Sequence, residues 1–186
     1  MIASESPTGQ PDSSRVGNWL RVAVVGRNPR KTLARIVILV VTCFVVFRFI
    51  LLPIRVEGIS MLPTYHDHSI NFINRLAYLR REPQRGDVVG IRLGGSASAF
   101  HTPGVMYMKR VVGLPGETVA WVEGRLLIDG VALDEPYLKG RCDWNRDPDK
   151  VGPDQYFVVG DNRTMPKENH VFGKADKRQI VGKVLY

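Results

Sequence analysis

YMKRVVGLPGETVAWVEGRLLIDGVAL, Tyr107 to Leu133, is the stretch that decides the fold class. Its β-branched and aromatic residues come in runs too short for a helix and are cut by Gly and Pro, the pattern of strands bounded by turns. ETVAWV and RLLIDG are separated only by Glu123 and Gly124, which predicts a hairpin, and Asp129-Gly130 is a second turn signal. The same texture extends outward through SINFI, GDVVGI, YFVVG and QIVGKVLY. The expectation is a mainly β domain of antiparallel sheet. NRLAYLRR, from Asn74, has length for a turn or two of helix and no more. Two polar stretches, Leu93 to Gly104 and Leu138 to Gln155, read as loops, the second long and irregular.

Further outward, LARIVILVVTCFVVFRFILLPI from Leu33 to Ile54 is apolar on every side, so it lacks the 3.6-residue period of a half-buried helix. About 20 such residues span a bilayer core. Arg35 and Arg48 lie near its ends, from where they can snorkel to headgroups. No A-x-A-like site follows in FILLPIRVEGIS, which predicts an uncleaved anchor. Much of the formal net charge of +8 sits before and at the start of this run, in Arg15, Arg21, Arg27, Arg30, Lys31 and Arg35, with only Glu5 and Asp12 as acids beside them. That placement speaks for a membrane flank and against nucleic acid, and by the positive-inside rule it puts the N-terminus in the cytoplasm. The chain therefore divides into a basic cytoplasmic tail (1–32), an anchor (33–54) and an extracytoplasmic β domain (55–186) in a cell membrane. Cys43 falls in the span and Cys142 far outside it, so no disulfide is expected, and no His/Cys/carboxylate spacing suits a metal. No cofactor is expected.

Three segments carry polar groups in settings that need a reason. VEGISMLPTY, Val56 to Tyr65, contains Ser60; alone, such a serine is more often a turn residue than a nucleophile. YMKRVVGLPGE places Lys109 and Arg110 in an otherwise apolar strand, where alternation sends them to opposite faces and one of them inward. An interior lysine loses charge to desolvation and can then take a proton from a serine hydroxyl, although a lysine on an edge strand also serves simply to block aggregation. YFVVGDNRTMPKENHVFG runs a strand into a polar Gly-Asp-Asn turn, which by itself is ordinary turn chemistry.

In order, spacing and detail, SMLPT, KRVVGLPGE and GDNR resemble the signature boxes of type I signal peptidases, and the resemblance covers the anchor and nearly all of the β domain. It implies a single-pass membrane serine protease that cleaves signal peptides from exported preproteins near the secretion translocon. Carried over by position, Ser60 is the nucleophile and Lys109 the general base, with the Ser60 amide donating to the oxyanion. Gly58 stands at the family's oxyanion position, where some members have serine. Val56, Met61, Tyr65, Tyr107 and Met108 fall where the family lines its substrate pockets. Gly160, Asp161, Asn162 and Arg163 shape the turn beside the lysine, and Arg110 has a structural role.

The C-terminal box departs from the common pattern x-x-S-x-D-S-R, reading TMPKENH: Pro166 replaces the serine, Glu168 the aspartate, Asn169 the second serine and His170 the arginine. Charge complementarity between the matched boxes predicts that Glu168 pairs with Arg110 and that His170 donates to Glu168. Two alternatives stay open on these residues. One is a Ser/Lys maturation protease for a dedicated, pilus-type substrate, and the other is a catalytically silent, membrane-tethered β domain that binds extended peptides.

Overall fold

A computed structural model describes residues 28–92, 106–138, 140 and 142–185. The loop read at Leu93 to Gly104 and most of the basic tail lie outside these residues.

Helix α1, Pro29–Val45, begins with proline at its first position, where a missing N–H costs nothing, and continues into a π-helical turn, Val46–Ile50. Together Pro29–Ile50 make 22 helical residues, long and apolar enough to cross a membrane. None of the α1 side chains is buried. The boundaries differ from the expected 33–54. The helix starts earlier, and Leu51 to Ile54 belong to strand β1, Leu51–Arg55, which pairs antiparallel with β2, Ile70–Asn74, through Leu52↔Ile73 and Ile54↔Asn71. An apolar run reads the same whether it meets lipid or a sheet, so composition alone did not mark the handover. Pro53 fits because β1 is an edge strand.

The remaining strands are β3 (Val88–Arg92), β4 (Met106–Gly113), β5 (Thr118–Val122), β6 (Arg125–Ile128), β7 (Val131–Ala132), β8 (Arg146–Lys150), β9 (Gln155–Val159), β10 (Gly173–Asp176) and β11 (Ile180–Leu185). They form a seven-stranded sheet, β1-β2-β11-β3-β4-β9-β10, and a four-stranded sheet, β7-β6-β5-β8, and every described pairing is antiparallel. The mainly β expectation holds. So does the hairpin: Val122 pairs with Arg125 across Glu123 and Gly124, both at positive φ, and Asp129-Gly130 turns in the same way between β6 and β7. Gly124 has a second reason to be glycine, since a Cβ there would lie 1.8 Å from the Cys142 carbonyl oxygen.

NRLAYLRR forms turns after β2 rather than helix. The long polar stretch from Leu138 to Gln155 is not wholly irregular either, because β8 runs through it as an edge strand of the smaller sheet. Its sequence, RDPDK, has no apolar alternation, and its charges and Pro148 suit an exposed edge that must not recruit another strand. Buried Val112, Val119, Trp121, Leu126, Trp144, Val151, Phe157 and Val159 form one core cluster, and Val56, Met61, Tyr65, Ile73, Val88, Met108 and Val184 form another. The second cluster underlies the segment that carries Ser60.

Candidate active site

Strand β4 presents its side chains alternately, and Lys109 and Arg110 leave on opposite faces. Both are buried, at 3% and 4% exposure, where the sequence predicted only one inside. Each has its own means of tolerating burial. Arg110 donates from Nε to Asp161 Oδ1 at 2.8 Å and from Nη2 to Asp161 Oδ2 at 2.5 Å, gives Nη1 to the Gly86 carbonyl at 2.8 Å, and lays its guanidinium 3.9 Å from the Tyr137 ring centroid. Lys109 instead moves toward neutrality: burial pushes its pKa down to about 8, with the Asp161 charge partly opposing.

Lys109 Nζ lies 2.8 Å from Ser60 Oγ. Ser60 reaches this position on a tightly turned segment after β1. Val56 donates to the Ser69 carbonyl at 2.9 Å, His68 to the Val56 carbonyl at 2.8 Å and Tyr65 to the Met61 carbonyl at 3.0 Å. Asp67 Oδ1 accepts the amides of Gly58 at 2.8 Å and His68 at 2.9 Å, which pins the loop where Gly58 turns at φ +97°. The loop is then stitched to the Gly-Asp-Asn turn after β9. Asn162 donates its amide to the Ser60 carbonyl and its side-chain Nδ2 to the Ile59 carbonyl, both at 3.0 Å, and Thr64 Oγ1 donates to Asp161 Oδ2 at 2.5 Å. Asp161 therefore couples the loop that carries Ser60 to the arginine beside the lysine.

Gly160 is needed because the chains meet there. A Cβ at this position would sit 2.2 Å from the Ser60 carbonyl oxygen. Gly160→Ala is expected to force the Ser60 main chain aside, since a backbone oxygen cannot swing away as the end of a flexible side chain can, and to lower kcat about tenfold or more with KM little changed, as single-turnover and steady-state cleavage kinetics would show.

A cleft of about 580 Å³ opens beside Ser60, between the segment Leu52–Gly58 on one side and Met106, Tyr107 and Met108 of β4 on the other, with Met61 contributing to its wall. Val56, Met61, Tyr107 and Met108, read from the sequence as pocket residues, lie along it, as does Gly58, read as the oxyanion position. Tyr65 does not; it is buried in the core cluster beneath, with Val56, Met61 and Met108. Leu52, Ile54 and Met106 join the lining and were not foreseen. The ladder between β4 and β9 begins only at Arg110↔Val159, so the cleft lies beside the preceding half of β4.

A hydroxyl at hydrogen-bond distance from a buried, weakly basic lysine, at the rim of an apolar cleft, is the arrangement of a serine protease that uses lysine as base. The family model described as "Signal peptidase, peptidase S26" matches residues 30–186. The chain belongs to that family. It is 38% identical over 160 residues to "Signal peptidase I S" of Bacillus subtilis, covering 79% of this chain and 82% of that one. It is 34% identical over 128 residues to "Signal peptidase I" of Leptolyngbya laminosa, covering 68% of this chain and 63% of the relative, so it spans less than two thirds of that protein's length. It is 32% identical over 165 residues to "Signal peptidase IB" of Staphylococcus aureus, with 78% and 82% covered. A crystal structure of a signal peptidase I from Enterococcus faecalis aligns with TM-score 0.43 and 28% identity over 56% of this chain and 98% of that one. Membership makes the chain a serine endopeptidase, a hydrolase.

Within this chain the C-terminal box is arranged differently from expectation. Arg110 takes Asp161, not Glu168, as its partner; Glu168 is exposed on a 3-10 turn, Lys167–Asn169. Asp161 lies in the turn that already touches the serine loop, so it reaches the guanidinium without the intervening chain that Glu168 would need to fold back. Nor does His170 pair with Glu168. It is buried, and burial, then the nearby charges of Lys109 and Arg163, push its pKa down to about 4, although the Val171 backbone opposes slightly. Arg163 is likewise engaged, giving Nη1 and Nη2 to Glu135 at 3.0 and 2.6 Å and Nε to the Gly160 carbonyl at 2.9 Å. Glu135, Tyr137 and Asp67 were not foreseen; they lie in loops with no motif to mark them, whereas Thr64 stood within SMLPT. The Gly58 amide, spent on Asp67, is not available as an oxyanion donor. Among the described residues no protein acceptor engages the Ser60 amide.

Proposed function

We propose that this chain cleaves signal peptides from exported preproteins with Ser60 as nucleophile and Lys109 as general base. The observation that carries the reading is the 2.8 Å contact between Ser60 Oγ and the Nζ of a buried lysine whose pKa is brought to about 8. A neutral Lys109 accepts the Ser60 proton as Oγ attacks the substrate carbonyl. The tetrahedral oxyanion takes a hydrogen bond from the Ser60 amide. Collapse expels the amine of the mature protein, which receives the proton from Lys109, and leaves an acyl-enzyme. Lys109 then deprotonates the water that hydrolyses the ester, and Ser60 is regenerated.

An extended precursor fits this site as an added strand beside Met106 to Lys109 and the segment after β1, its alternate side chains entering the cleft. Buried Val56, Met61 and Met108 leave shallow room, which favours small residues one and three positions before the cut. The helix Pro29–Ile50 is the membrane anchor in this reading, with the basic N-terminal residues cytoplasmic, residues from about 55 onward extracytoplasmic, and the translocon nearby as the source of substrate. Lipid and preprotein are the partners; nucleic acid is not.

The test is cleavage of a model preprotein by the purified full chain. Cutting after an alanine preceded two residues earlier by alanine is expected. Phenylalanine at either position should reduce kcat/KM about 100-fold or more by overfilling the cleft. Equal cleavage of both precursors would refute the assigned specificity.

A further inference from the structure

A buried ring that takes no part in this mechanism lies directly behind the nucleophile. His170 is 5% exposed and meets Trp144 edge-on at 5.0 Å and Phe172 edge-on at 6.0 Å between ring centroids. Neither ring nitrogen has a well-formed hydrogen bond among the described residues, an unusual condition for a buried polar group. The ring's other neighbour is Gly160. A Cβ on Gly160 would stand 2.7 Å from His170 Cε1 and 2.9 Å from Nε2, and 2.2 Å from the Ser60 carbonyl oxygen. The imidazole edge and the serine main chain thus face each other across a gap that one methyl group would overfill. Two cations face the ring, Lys109 from β4 and Arg163 from the turn after β9, while the Val171 backbone contributes a weak opposite influence.

We propose that His170 is a positioning residue of the dyad: an uncharged wedge that holds the Ser60 main chain through Gly160 and keeps a second cation away from Lys109. The inference rests on the Ser60/Lys109 reading. Its electrostatic half follows from reciprocity. The Lys109 charge disfavours protonation of His170, so a charge at position 170 disfavours protonation of Lys109 equally. A permanent cation there makes the lysine a weaker base and moves the acid limb of the pH–rate profile to lower pH. The steric half predicts the opposite shift on truncation. Removing the ring opens the floor of the site to water, relieves part of the desolvation that keeps Lys109 near 8, and moves the limb upward.

The experiment measures kcat, KM and the pH profile of preprotein cleavage for His170→Ala, His170→Phe and His170→Lys in the full chain, with folding checked by circular dichroism. His170→Ala is expected to lose about tenfold in kcat with KM nearly unchanged, and its acid limb to rise by about half a unit to one unit. His170→Phe, which refills the wedge without a charge, should return both quantities to within about threefold and a few tenths of a unit. His170→Lys should move the limb downward. A His170→Ala enzyme with wild-type kcat and limb, or a His170→Phe enzyme as impaired as His170→Ala, would overturn the proposal. Should His170→Ala not fold, His170→Phe decides alone: a tenfold loss in a folded protein refutes the wedge. A Ser60→Ala control cleaving at the wild-type rate would instead sink the dyad reading, so the two failures are distinguishable.

Discussion

Ser60→Ala and Lys109→Met are each expected to reduce preprotein cleavage by about 10³-fold or more while leaving the melting temperature within a few degrees of wild type. In the proposed dyad the two groups act as one unit across 2.8 Å, so the double variant should be hardly worse than either single one. Lys109→Arg should be as inactive as Lys109→Met, because a guanidinium stays protonated and cannot accept the serine proton. In the wild type, the base must be neutral, and burial places its pKa at about 8. Activity should therefore rise with pH through about 8 and fall about tenfold for each unit below it. A rate independent of pH between 6 and 9, or independent additive losses in the double variant, would contradict the dyad; steady-state cleavage across buffers measures both.

Asp161→Ala should have the largest effect on stability. It strips the carboxylate from Arg110 while the guanidinium remains inside the protein, and breaking a buried pair from one side costs about 3 to 5 kcal/mol. Marginal folding free energies make that a fall of roughly 10 °C in melting temperature. Turnover should fall as well, since the same carboxylate holds Thr64 in the loop that carries Ser60. Lys177→Ala, which removes an exposed partner of Glu82, should change stability by no more than about 1 kcal/mol and serves as the contrast. Arg110→Met combined with Asp161→Leu should recover stability better than either single change, because neither charge is then stranded. Thermal melts of these five variants test this, and an Asp161→Ala protein melting with the wild type would show the pair to be energetically idle.

How much of this was legible in the sequence depends on the distance over which each feature is specified. Glu123-Gly124 and Asp129-Gly130 encode their turns locally, so the hairpins and the β class could be read directly. The segments that carry Ser60, Lys109 and Asp161 were marked by polar groups in apolar surroundings and by their resemblance to known boxes. Their mutual contacts were not marked. Glu168 and Asp161 are both carboxylates a short way along the same segment, and only the fold places the latter against Arg110. Strand β8 was hidden because an exposed edge strand of charged residues lacks alternation, and the end of the helix was hidden because Leu51 to Ile54 are apolar in either setting.

The composition of the cleft also has a chemical price in an oxidising surrounding. Three thioethers, Met61, Met106 and Met108, wall the space beside Ser60, and Met106 is the least buried of them. Under the proposed function, their soft, adaptable side chains would let one shallow groove fit precursors of varied sequence. Conversion of a wall methionine to its sulfoxide would put a polar, chiral oxygen into that groove, so peroxide damage would reach the selection of substrate without touching either member of the dyad.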